Sequence, residues 1–170
     1  MVHLNSTTEI ISRADAIVRR TGTREPERIA EELDIFIKDV DFDHQKGVYK
    51  VIKRNRYIFI KRDLDEIMRG IVLLHEIGHD QLHRRQATVF QEFNLFNMSS
   101  NIMEYEANLF AAHIGLPDDE ILEYIYQGYD ASQIAAAMNS DINLVALKVS
   151  ELSRRGYSFR NLEHQNDFLK

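Results

Sequence analysis

Two histidines and a glutamate within five residues carry the strongest chemical signal in this chain. His75-Glu76-Ile77-Gly78-His79 sets two imidazoles four residues apart, with a carboxylate directly after the first. On an α-helix, residues four apart lie about 40° apart around the axis and one turn along it. Two neutral imidazoles can then grip one metal ion from the same face. Glu76 points aside, close to such an ion but not on it. This is the arrangement of a zinc hydrolase, in which the metal acidifies a water and the adjacent carboxylate takes its proton. The plainer reading is two core or surface histidines on an amphipathic helix. A buried pair of that kind would still need a partner for every ring nitrogen.

Two imidazoles do not complete a catalytic zinc site, which takes a third protein ligand and leaves a position for water. The chain has no cysteine, so the third ligand must be His, Asp or Glu. Glu104 and Glu106 are the candidates, on the next predicted helix. They are about 200° apart around its axis, so only one can face the metal. Glu104 shares a stripe with Asn108 and Ala111: a carboxylate, a polar group one turn on that can orient a ligand histidine, and a small residue that permits close helix approach. This favours Glu104 and leaves Glu106, on the stripe of Phe110 and His113, as a solvated or salt-bridged surface acid. One zinc per chain is expected.

The elements that must hold these residues are legible from pattern. Ser6 and Glu9 form a capping box for a helix ending at Gly22, and Pro26 opens a second to about Leu33. Strands are expected at Ile35 to Val40, Gly47 to Ile52 and Arg56 to Ile60, the last two joined at Lys53-Arg54-Asn55 as a hairpin. The strand Tyr57, Ile58, Phe59, Ile60 offers an extended substrate peptide a partner by strand addition. Asp63 to Glu66 can cap the histidine helix, whose apolar residues recur to Leu82 and whose last turn suits Arg84 and Arg85. The Glu104 helix is expected to be capped near Ser99-Ser100-Asn101 and to stop at Gly115 and Pro117. Between them, residues 86 to 98 read as a loop whose Phe90, Phe93, Leu95, Phe96 and Met98 would fold over the cleft or line a pocket wall. Three short helices, punctuated by Gly128, Asn139 and Gly156, complete the pattern.

The expected fold class is therefore α+β, zincin-like, with a small sheet beside the active-site helix and a C-terminal, helix-turn-helix-like bundle. One metallopeptidase domain spans 1–170: N-terminal helices 6–34, sheet 35–60, active-site helices 63–115, C-terminal helices 117–156 and a tail 157–170.

With these residues in view, the chain resembles the ImmA/IrrE family of zinc metallopeptidases. The resemblance rests on His75-Glu-Ile-Gly-His79 with Leu82-His83, then Glu104-x-x-Ala107-Asn108-x-Phe110-Ala111-Ala112 and Leu116-Pro117. Tyr57 to Ile60, Arg69, and Ile134 to Met138 with Ser140 and Leu152 extend it over roughly residues 25 to 156. It implies metal ligands at His75, His79 and Glu104 and a catalytic glutamate at Glu76. Lys61, and Ile114-Gly115-Leu116 before the proline, depart from the family pattern, which makes substrate specificity less transferable than the metal site. The resemblance also implies a protein substrate, a helix-turn-helix repressor whose cleavage or inactivation relieves repression in a phage, mobile element or stress response.

Composition bounds the alternatives. At 170 residues, 44% hydrophobic and 28% charged, the chain reads as an ordinary globule. The absence of cysteine fits a reducing, cytoplasmic setting. The first twenty residues lack a signal-peptide core, no apolar run is long enough to span a membrane, and no membrane association is expected. A net charge of −6 weighs against a large nucleic-acid footprint. Two rivals to the protease remain: a metal-binding regulator acting by contact alone, and a DNA-binding regulator using the C-terminal helices. Ser132 to Met138 and Ile142 to Arg154 have helix-turn-helix spacing, but Lys148 is the only base in the first half of the second helix. His83 is expected to lie outside the ligand set. Tyr57, Tyr105 and His113 are the candidates for stabilising an oxyanion.

Overall fold

A computed structural model describes residues 5–93 and 99–159. Among them the chain forms α1 (Thr7–Thr21), α2 (Pro26–Glu32), β1 (Ile35–Val40), β2 (Gly47–Ile52), β3 (Asn55–Lys61), α3 (Glu66–Phe93), α4 (Ser99–Gly115), α5 (Asp118–Tyr126), α6 (Ala131–Ala137) and α7 (Ile142–Arg154). The architecture is α+β, with a three-stranded sheet beside α3.

Local rules account for most boundaries. The Ser6–Glu9 capping box opens α1, and Gly22, at φ 67°, closes it in the left-handed region. Asp65, rather than Asp63, caps α3 by accepting from Met68 N–H at 2.9 Å. Asp63 instead pairs with Lys61. The β2–β3 hairpin turns on Lys53 and Arg54, both at positive φ (49° and 70°). That is the backbone of a tight primed turn, which matches the twist of the strands it joins. Gly115 is the last residue of α4 and lies outside the left-handed region. The expected glycine cap is not formed there, and the proline at 117 ends the helix instead.

The strand order is β1-β3-β2, with β1 parallel and β2 antiparallel to β3. Ile58 and Ile60 of β3 are buried against the helices, so Tyr57 and Phe59 take the opposite face. There Tyr57 packs between Phe36, at 5.4 Å between ring centroids, and Phe59, at 5.8 Å. Because β3 has a neighbour on each side, its main chain cannot accept a substrate strand, contrary to the sequence expectation for Tyr57 to Ile60. Among the described residues, the free edge beside α3 belongs to β2. Lys61 N–H bonds the carbonyl of Lys46, and the hairpin turn pairs Ile52 with Asn55. The alternation of an antiparallel ladder then leaves the main-chain groups of Gly47, Tyr49 and Val51 facing that edge.

The core has two parts. One gathers Ile10, Ile29, Ile58, Ile60, Leu73, Ile77 and Phe110 from α1, α2, the sheet, α3 and α4. The other gathers Leu116, Ile121, Ile134, Val145 and Leu152 from the C-terminal helices. Helix α4 feeds both, through Phe110 and Ala112. Burying a side chain the size of Phe110 contributes about 2–3 kcal/mol. Helix α3 runs on to Phe93, where the sequence reading placed a loop from residue 86, and it bends at His83 (φ −127°, ψ 18°). The expected role of Phe90, Phe93, Leu95, Phe96 and Met98 over the cleft lies outside the described side chains. No helix among the described residues is long and apolar enough to cross a membrane.

Candidate metal centre

Close approach of α3 and α4 builds the site. A Cβ added at Gly78 would lie 3.2 Å from both Cα and the carbonyl oxygen of Ala107, so the helices cross where neither side chain keeps them apart. The sequence reading gave that role to Ala111. The crossing turns Glu104 toward His75 and His79.

The three donors converge. His75 Nε2 lies 3.0 Å from His79 Nε2 and 3.1 Å from Glu104 Oε2, and His79 Nε2 lies 3.2 Å from Glu104 Oε1. Among the described residues these are the three whose ligand atoms gather in one place. Two imidazole lone pairs and a carboxylate at this spacing repel one another unless positive charge sits between them. A proton satisfies one pair of donors; a divalent cation satisfies all three. Tetrahedral ligands bound at about 2.0–2.1 Å stand about 3.3 Å apart, close to the spacing seen, and two histidines with one glutamate are a catalytic zinc set. The residues present fit a metal of this kind.

The electrostatics follow from burial and proximity. Burial disfavours a charge on His75, yet Glu104 and Glu76 outweigh it and hold its pKa above the ordinary value. Hydrogen bonds from His75 and His79 hold the Glu104 carboxyl well below the usual carboxylate range. Glu76 is 6% exposed. Burial pushes its pKa up, against the pull of both histidines and of a main-chain hydrogen bond from Tyr49 at the edge of β2. Gly47 makes room for Glu76: a Cβ there would fall 2.6 Å from Val72 Cγ1 and 3.1 Å from Glu76 Oε1. A glycine opening a strand was the only sequence signal for this contact.

Around the donors, Asn108 Oδ1 lies 2.8 Å from His75 Nδ1, as the stripe on α4 predicts. Glu106 departs from expectation. It is 4% exposed, and its Oε2 lies 2.9 Å from His83 Nε2. His83 Nδ1 in turn lies 3.1 Å from His79 Nδ1. Periodicity had left Glu106 as a surface acid, because helical facing does not reveal what α1 and α3 bring against it. Sequence reasoning also missed Asp80, 1% exposed, which accepts from the Tyr49 hydroxyl at 2.6 Å and from Arg56 and Arg84 at 3.0 Å each. Arg56 also donates to the carbonyl of Leu33. The turn just past His79 is thereby tied to the sheet, and only a polar residue on an otherwise apolar face hinted at it.

The oxyanion candidates are committed elsewhere. His113 bonds Asp15 and Lys148. The Tyr105 hydroxyl accepts from Arg154 at 2.6 Å. Tyr57 stacks on the outer face of the sheet. Lys148 is fully buried and pairs with Asp118 at 2.5 Å, so it does not face outward as a phosphate-binding base would.

Comparison with known proteins agrees with this geometry. The family model described as the IrrE N-terminal-like domain, a peptidase family, matches residues 30–150. An uncharacterized immunity region protein 2 of Bacillus phage phi105 is 34% identical over 139 residues, covering 80% of this chain and 87% of its own. The metallopeptidase ImmA of Bacillus subtilis is 28% identical over 164 residues, covering 93% of this chain and 96% of its own.

Proposed function

The chain belongs to the ImmA/IrrE family of peptidases, and from that premise we propose that it is a zinc-dependent endopeptidase acting on a transcriptional repressor. The observation that carries this reading is the convergence of His75, His79 and Glu104 with a buried carboxylate, Glu76, beside them. His75, His79 and Glu104 would hold the ion. A zinc ion there supplies Lewis acidity, which acidifies water and polarises a carbonyl oxygen. Glu76 takes the proton from the attacking water and returns it to the leaving amine. Its burial supports that role, because a carboxyl raised toward neutrality both accepts and releases a proton. The outer edge of β2, at Gly47 and Val51, would hold the substrate as an added strand alongside Glu76, which takes the main-chain N–H of Tyr49 between them. Likeness to a phage immunity region protein supports a helix-turn-helix repressor as the substrate.

The test is to incubate the protein with a candidate helix-turn-helix repressor, with zinc and with chelator. Cleavage that requires zinc is expected. Glu76→Gln should keep the metal and lose about 10²–10⁴ in cleavage rate, the range for a missing general base. A Glu76→Gln protein that relieves repression as well as the parent would make contact, not proteolysis, the function.

A further inference from the structure

His79 can serve a metal through Nε2 only if its proton sits on Nδ1. What holds it there is a chain of buried groups that runs away from the site. Nδ1 of His79 faces Nδ1 of His83 at 3.1 Å, and only one of the two can carry the shared proton. His83 Nε2 faces the Glu106 carboxylate at 2.9 Å. An ionised carboxylate only accepts, so His83 Nε2 carries a proton. Neutral His83 then presents a lone pair at Nδ1, and His79 must donate into it. The order is decided at the far end. Glu106 also accepts from the main-chain N–H of Asn5 at 3.0 Å and from Asn5 Nδ2 at 2.6 Å, so three donors hold it as an acceptor. Both His83, at 3% exposure, and Glu106, at 4%, are shielded from water that could reverse the order. The bend of α3 falls at His83, where its ring reaches both partners. His75 has no counterpart to this arrangement: its Nδ1 meets the amide of Asn108 directly.

We propose that His83, Glu106 and Asn5 are positioning residues of the metal centre, a buried relay that fixes the proton of His79 and couples the entry to α1 to metal affinity. The inference rests on the metal site proposed above, but it concerns binding rather than cleavage. Residues at the start of α1 thereby act on a site more than seventy positions along the chain. A ligand histidine oriented by a carboxylate through an intervening ring differs from the usual direct contact, and each link must be correctly protonated for the next to work.

The experiment measures zinc affinity by competition with a chromophoric chelator, alongside thermal unfolding of the chelator-treated protein. His83→Leu should bind zinc about 10–100-fold more weakly, the range for loss of such partners. His83→Gln should recover most of that, because its amide oxygen can accept from His79 while its N–H donates to Glu106. Asn5→Ala, at a half-exposed position that does not threaten the fold, should weaken zinc binding by a smaller factor with the unfolding temperature nearly unchanged. Equal losses in His83→Leu and His83→Gln, or parental affinity in both His83→Leu and Asn5→Ala, would overturn the relay. His75→Ala is the control. If it too binds zinc like the parent, the metal site itself falls, and the relay with it.

Discussion

Two polar clusters flank α4, and they are resolved in opposite ways. On one side His75, His79 and Glu104 aim their acceptors at a common point, and no side-chain cation among the described residues meets them there. On the other side His113, Lys148 and Arg155 close on acids. Lys148 pairs with Asp118 at 2.5 Å and lies against Glu151, Arg155 grips both acids, and His113 reaches Asp15 on α1 at 2.9 Å. Both clusters contain histidine and a perturbed carboxyl. Perturbation alone therefore does not mark a functional site. The informative difference is whether a side-chain cation sits among the acids. The α7 side has Lys148 and Arg155 among its acids and reads as a tie between α1, α4, α5 and α7. The α3 side holds no such cation among the described residues, and the proposed divalent ion would supply the missing charge.

Breaking each cluster should produce opposite readouts. Glu104→Ala removes the one formal charge aimed at the ion and should lower zinc affinity by more than about 100-fold, beyond what partner residues contribute. The chelator-treated protein should unfold near the parental temperature, because Glu104 lies on the exposed side of α4. Metal analysis after dialysis, together with a thermal scan, checks both halves. Near-parental zinc content would remove the contrast between the clusters.

Lys148→Ala should do the reverse. The lysine is fully buried and neutralises Asp118 and Glu151. Removing one partner of a buried pair costs about 3–5 kcal/mol, which for a chain of this size lowers the unfolding temperature by roughly 10 °C. Zinc affinity should stay within about threefold of the parent. A large loss of affinity without loss of stability would mean that the second cluster serves the metal after all.

The same division explains what could be read from the residues alone. Strand boundaries, the Ser6–Glu9 capping box and the candidate ligand residues are local or periodic features, carried by spacing within each element. Helical geometry and the absence of cysteine pointed to His75 and His79 and favoured Glu104 over Glu106, and the family resemblance implied the same set. The roles of Glu106, Asp80 and Gly47 depend on which elements meet, and spacing within a helix is silent on that. Glu106 became a buried acceptor because Asn5 and His83 arrive from two other segments. The proposed substrate edge is β2 rather than β3 for a related reason. Three strands had been recognised, but their order β1-β3-β2 places the last in the middle, and order is a long-range property.

Gly78 sharpens the comparison at its geometric root. Alanine there keeps every donor and every charge, and it suits a helix better than glycine does. Its methyl carbon would nevertheless stand 3.2 Å from main-chain atoms of Ala107 and 3.3 Å from Phe110 Cδ1, so α4 must shift by a few tenths of an ångström. Zinc affinity should fall by about tenfold, from donors moved off position. The unfolding temperature should change little, since overpacking and improved helix propensity oppose each other. A variant with full affinity would show that the site tolerates a looser helix crossing than its close packing implies.

The smallest effect expected is in the acid range, and it belongs to the closed cluster. Burial pushes the Asp118 carboxyl up, but hydrogen bonds from Arg155 and Lys148 outweigh it and hold the group well below the usual carboxylate range. A depressed folded-state pKa stabilises the protein fully above the unfolded value, about 3.9, and that contribution is lost as pH falls toward the folded value. The sign is fixed by proton uptake: below about pH 4 the unfolded chain takes a proton that the folded one refuses. Asp118 is 30% exposed, so solvent screens part of the effect. Asp118→Asn cannot take part in this titration. Its stability deficit relative to the parent should therefore be largest near neutral pH and shrink between about pH 5 and pH 2. Urea unfolding of chelator-treated protein across that range measures the deficit without the metal site contributing. A deficit that stays constant with pH would mean that Asp118 holds the C-terminal helices through hydrogen-bond geometry rather than charge, and the two clusters would then differ in geometry alone.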